Sequence, residues 1–113
     1  TERDRGMSKR ENKEQRQQDF EKIIKKIIDN AEIGLKEFYG KYGRLIQITA
    51  QTFCEKDTAN EVENDVLVKV WKNARKIKNI ENPEGWIYTI TVNTVKSTFK
   101  KKQTFPLNEN MRF

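Results

Sequence analysis

The chain has 113 residues, of which 35% are hydrophobic and 35% charged, and a formal net charge of +6. That length fits one domain, and that composition allows only a small core carried by amphipathic elements. With 5 glycines and 2 prolines, turn signals are too sparse for a many-stranded β fold. One cysteine, Cys54, excludes an internal disulfide and a thiolate metal site, and it reads as a buried small hydrophobe. Histidine is absent, which removes the commonest general base and metal ligand, so no enzyme, metal or cofactor is expected. No apolar run approaches the roughly 20 residues of a membrane span, and no secretory signal is visible. A cytoplasmic protein follows. The positive charge suits an anionic partner such as nucleic acid, and solubility alone is the competing explanation.

Residues 1–18 hold one bulky apolar residue, Met7, and are expected to be disordered or a frayed helical extension. The domain is expected over 19–102, with 103–113 as a linker or tail. Helical periodicity opens at Phe20, after Asp19 as N-cap, and Ile23, Ile24, Ile27 and Ile28 continue it to Asp29-Asn30. A second helix is expected from Ala31 or Ile33 to Phe53, with Leu35, Phe38, Tyr39, Tyr42, Leu45, Ile46, Thr49 and Phe53 on one stripe.

A third helix, about Thr58 to Lys76 and capped by Asp57 or Thr58, points Val62, Val66, Val70 and Ala74 inward, flanked by Leu67 and Trp71. Glu63 falls on the same inner stripe and is expected at a frayed first turn. Glu61, Asn64, Asp65, Val68, Lys72 and Arg75 point outward. The segment 78–85 (KNIENPEG) is a loop, and Pro83 opens a fourth helix that runs to about Lys102. That helix carries two apolar stripes. Trp86, Ile87 and Ile90 form one, with Trp86 as a core anchor. Tyr88, Val92, Val95 and Phe99 form the other, expected to pack on the second helix. Between them lies a polar strip of Thr89, Asn93, Lys96 and Lys100. The whole reads as an all-α orthogonal bundle of three to four helices, monomeric by itself.

Acids dominate 55–65, and bases stand without acids over 69–80 and 93–104. Helix dipoles and solvated faces account for the third helix. They account less well for the fourth, where lysines accompany Asn93 and follow a loop holding Asn79 and Asn82. Lysines can neutralise phosphates, and amides and aromatic rings can read or stack bases. An exposed or internally bonded Asn93 is the bland alternative.

Residues 82–102, NPEGWIYTITVNTVKSTFKKK, resemble the helix spanning regions 2.3 and 2.4 of extracytoplasmic-function sigma factors. Asn82, Pro83, Trp86, Ile87, Tyr88, Ile90 and Asn93 match that pattern in register, and Lys100 and Lys101 match its basic end. Residues 58–71, TANEVENDVLVKVW, are similar to region 2.2, and 31–54 resemble region 2.1. The likeness covers about 20–102. Glu63 and Asn64 depart from the family's usual aliphatic and glutamine, and Ser97 replaces a common acid.

The resemblance implies a sigma-70 region 2 module in bacterial transcription initiation, located in the cytoplasm with the nucleoid. Region 2.2, here Glu61, Asn64, Asp65, Val68 and Lys72, would dock on the clamp helices of the large catalytic subunit of core RNA polymerase. Asn79, Asn82, Asn93, Lys96, Lys100 and Lys101 would bind the promoter −10 element as single-stranded non-template DNA. The −35-reading half of a full sigma factor is not in this sequence, which fits a domain of a longer chain or a subunit working with a separate −35-reading partner. An anti-sigma factor is a further partner of such domains. Two other readings stand beside it: a basic repressor-type domain gripping duplex DNA, and a sigma-like module used only in protein–protein interaction.

Overall fold

A computed structural model describes the backbone of residues 2–110 and the side chains of 13–101. Among the described residues there are four α-helices, α1 (Glu2–Asp29), α2 (Ala31–Phe53), α3 (Lys56–Asn73) and α4 (Pro83–Asn110), with a 3₁₀ turn at Ala74–Lys76 and no strand. The expected all-α bundle is therefore the fold. Helix α2 is its hub, packing against α1, α3 and α4, while α3 also packs against α4.

Helix α1 starts well before Phe20, so Asp19 lies inside the helix and caps nothing. Gln, Glu, Lys and Arg dominate the segment ahead of Phe20, and these residues favour helix even without burial. At the other end α4 passes Lys102 and continues through 103–110, where a linker is expected from the sequence. Thr1 and 111–113 lie outside the described residues.

A single residue separates α1 from α2. Asn30 is extended (φ −151°, ψ 95°), and its side chain accepts a bond from the Ile33 amide at 3.4 Å, which satisfies one orphan donor of α2. So abrupt a reversal brings the two backbones together at Gly34, where a Cβ would lie 2.4 Å from the Ile27 nitrogen. Lys26 and Glu37 pair across the same junction at 2.8 Å.

Cys54 ends α2, half-buried, its amide and Sγ both donating to the Ala50 carbonyl. Glu55, not Asp57 or Thr58, occupies the N-cap of α3, and it makes no side-chain cap bond. Asp57 instead sits in the first turn, where its charge suits the helix dipole.

The core centres on Phe20. Its ring meets Tyr42 and Trp86 edge-on, with centroids 5.8 and 5.6 Å apart, and ties α1 to α2 and α4. Ile24, Ile27, Phe38, Ile46, Val62, Val66, Val70 and Ile87 are buried around it. Burial, aided by the carboxylates of Glu84 and Asp19, pushes the Tyr42 pKa from 10.0 up to about 12. The stability linked to this proton is complete below about pH 10 and is lost as the pH climbs toward 12.

Several expected inner residues face out. Tyr39 and Phe53 on α2, Trp71 on α3, and Tyr88 and Phe99 on α4 are all exposed. The inner face of α4 is built instead from Ile87, Thr91, Thr94, Val95 and Thr98. Thr94 donates to the Ile90 carbonyl and accepts from Lys69 of α3 at 2.9 Å, which settles its hydroxyl in the interface. Glu63 is only 8% exposed and lies well inside α3, not at a frayed turn. Gln47 of α2 donates to its Oε1 at 2.6 Å and to Asn60 at 2.7 Å, and so holds the carboxylate between the two helices.

Candidate polymerase and nucleic-acid interfaces

Two outward faces carry the residues of interest, one on α3 and one on α4. On α3 the buried residues Ala59, Val62, Val66 and Val70 define the inner side. Glu61, Asn64, Val68 and Lys72 are exposed on the opposite side, and Asp65 is half-buried at its edge. The structure thus gathers all five residues assigned to docking on one face. It adds Trp71, 49% exposed, one turn beyond Val68. Residue type alone places a tryptophan inside, so sequence reasoning misses this one; its position three residues after an outward Val68 is the available signal.

Charge is graded along this face. Asp57, Glu61 and Asp65 lie toward its start, Val68 and Trp71 in the middle, and Lys72 and Arg75 toward its end. From Glu61 to Lys72 the helix advances about 16 Å at 1.5 Å per residue.

On α4, Thr89, Asn93, Lys96 and Lys100 are exposed along one line, and Lys101 is exposed on its flank. Thr89 and Ser97 turn their hydroxyls back to the carbonyls of Gly85 and Asn93. The Asn93 amide makes no hydrogen bond within the described residues, so the internally bonded alternative does not hold and its donors and acceptor face solvent. Tyr88 and Phe99, 50% and 42% exposed, run beside the polar line with half-buried Val92 between them.

The loop asparagines hold structural posts. Asn79 adopts a left-handed backbone (φ 57°), a conformation asparagine tolerates better than most residues. Asn82 caps α4: its Oδ1 accepts from the Gly85 amide at 3.2 Å and its carbonyl from Trp86 at 3.0 Å. Both remain exposed. The Nδ2 group of Asn82 is the part of its side chain left over for another partner. Asn82 and Asn93 are separated by about 16 Å of helix, so the loop and the α4 line form two ends of one surface, not a single point.

Among the described residues no acidic, histidine or cysteine cluster could hold a metal ion, and no helix is long and apolar enough to cross a membrane.

An exposed Asn93 side chain stands ahead of Lys96 and Lys100 on α4, and Glu61 to Lys72 form a separate charged face on α3; comparison with family models decides the family. Residues 38–105 match the model of sigma-70 region 2. The chain belongs to the sigma-70 region 2 family. No curated protein and no solved structure gives a significant match. Sigma-70 region 2 is a non-enzymatic part of transcription initiation that binds core RNA polymerase and takes part in promoter melting. The matched span takes in most of α2, all of α3, the loop and α4 to residue 105, and leaves α1 outside. Both candidate faces of this sigma-70 region 2 domain therefore lie inside the family's span.

Proposed function

We propose that this is a region 2 domain of the extracytoplasmic-function type that binds the −10 element as an opened non-template strand while docked on polymerase. On this reading Glu61, Asn64, Asp65, Val68 and Lys72 meet the clamp helices of the large catalytic subunit. Asn79, Asn82 and Asn93 read bases, and Lys96, Lys100 and Lys101 hold phosphates. On the same reading the domain is a monomer alone in the bacterial cytoplasm, with an anti-sigma factor or a separate −35-reading subunit as a further partner.

The unbonded Asn93 side-chain amide, one turn ahead of exposed Lys96 and alongside the exposed rings of Tyr88 and Phe99, carries this reading. A lysine neutralises a phosphate whatever the sequence. An asparagine amide pairs with a base edge, and an aromatic ring stacks on a base face. The face of a base is open to a ring only after unstacking, so this combination suits a single strand better than a duplex.

Fluorescence anisotropy of labelled −10 oligonucleotides, single-stranded and duplex, at two salt concentrations separates these roles. Replacing Lys96 and Lys101 by glutamine is expected to weaken all sequences alike and to flatten the salt dependence by roughly 0.7 log units for each phosphate no longer neutralised. Asn93→Ala is expected to blur base preference and leave the salt slope unchanged. Equal binding of duplex and strand, with Asn93→Ala silent, would assign the domain to the duplex-binding or protein-only readings.

A further inference from the structure

Between α1 and the segment leading out of α3 lies a half-open cavity of about 280 Å³. Phe20, Ile24 and Ile28 supply its apolar wall from α1, and Ile77 and Ile80 supply the facing wall. Phe20 and Ile24 are buried and the other three isoleucines half-buried, so apolar surface meets water here at the edge of the core. Around it stand three exposed cations, Lys25, Arg75 and Lys78, against one acid, Glu21. None of the three cations has an ion pair or side-chain hydrogen bond among the described residues. No residue of α4 lines the cavity, which sets it apart from the Asn93–Lys100 line.

We infer that this cavity binds a small aromatic anion, a flat apolar body with one carboxylate or phosphate beside it. The volume lies at the lower end of small-molecule sites, which fits one or two rings. Apolar walls favour a ring system that leaves water. Three unpaired cations favour a negative head group, and the planar Arg75 guanidinium matches a carboxylate or phosphate in two-point contact. The cavity shares Asn79 with the proposed −10 surface, while none of its walls belongs to α4, so a strand and a small anion are tested separately. One consequence concerns the loop. Ile77 and Ile80 flank Asn79, which also borders the cavity, so an occupant would fasten to α1 the loop that ends at the Asn82 cap.

The test is a titration of the 113-residue chain with 2-naphthoate, followed through isoleucine methyl and backbone amide resonances, with neutral 2-naphthamide in parallel. Saturable shifts are expected at Ile24, Ile28, Ile77, Ile80 and the Asn79 amide, with Ile46 and Ile87 unmoved. The amide analogue is expected to bind about tenfold or more weakly, because it carries no negative charge to pair with the three cations. Lys25→Gln combined with Lys78→Gln is expected to weaken binding by a similar factor with the spectrum otherwise intact, since both side chains are exposed. Absence of saturable shifts, equal binding of the neutral amide, or shifts spread through Ile46 and Ile87 would overturn the inference. A −10 single strand that moves the same isoleucines and is displaced by naphthoate would also overturn it, by giving the cavity to nucleic acid.

Discussion

Gly34→Val is expected to destabilise the domain by about 3 kcal/mol or more, the upper range for forcing atoms into a packed interior. The reason is local and steric. A Cβ at residue 34 would lie 2.4 Å from the Ile27 nitrogen and 2.5 Å from its Cα, and both are backbone atoms that no rotamer change can move. Relief requires α1 and α2 to separate, which would also loosen Phe20 from Tyr42 and strain the Lys26–Glu37 pair. Gly40 of the same helix is the matched control, because a Cβ there meets nothing within 4 Å. Gly40→Ala is expected to stabilise by up to ~1 kcal/mol through helix propensity. Thermal unfolding followed by circular dichroism should show a loss of roughly 10 °C or more for the first and a small gain for the second. Shifts of equal size and sign would contradict the close approach.

The second large effect concerns docking. Val68→Glu is expected to weaken binding to core RNA polymerase by about tenfold or more, because it places a charge at the apolar centre of the α3 face. Trp71→Ala is expected to cost a comparable or larger factor, since exposed tryptophans at interfaces often contribute about 2 kcal/mol or more. Both side chains are exposed, so the unfolding midpoint should hardly move. Ile33→Ser, an exposed apolar site on α2, serves as the control and should leave binding unchanged. A pull-down with core polymerase that retains both α3 variants at wild-type levels would remove the docking assignment.

Helix positions are legible wherever apolar residues recur at three- and four-residue spacing: Ile23–Ile24–Ile27 in α1, Phe38–Tyr42–Ile46 in α2, and Val62–Val66–Val70 in α3. What periodicity does not separate is the inner side of a helix from an outer apolar stripe. Trp71, Tyr88 and Phe99 have core-like side chains on outward faces, and an apolar type signals transfer preference, not position. Thr91, Thr94 and Thr98 are polar residues that the apolar pattern of α4 does not bring out, and all three are buried. Thr94 returns its proton to the helix's own backbone, at the Ile90 carbonyl. The sequence pattern puts Glu63 correctly on the inner stripe but wrongly in a frayed turn, because its partner Gln47 is 16 residues away and belongs to another helix.

The two candidate faces are legible to different degrees. The α3 face is nearly complete, since one helix wheel fixes all its members apart from the tryptophan. The α4 line is complete for Asn93, Lys96 and Lys100, while periodicity assigns the aromatic flank beside it to the interior. Asn79 and Asn82 stand out in the sequence for base contacts, and the structure gives each a backbone role as well, a left-handed turn and a helix cap. Loop geometry of that kind follows from long-range packing of Ile77 and Ile80 on the core, which no local window contains.

The most direct measurement places both partners together: anisotropy of a labelled non-template −10 strand titrated with core polymerase, with and without the 113-residue chain. The chain is expected to raise strand binding by polymerase well above either component alone. The gain should be larger for the strand than for the duplex, and Val68→Glu and Asn93→Ala should each reduce it. Strand binding by polymerase that is unchanged when the chain is added, or a gain that is equal for strand and duplex, would contradict the account.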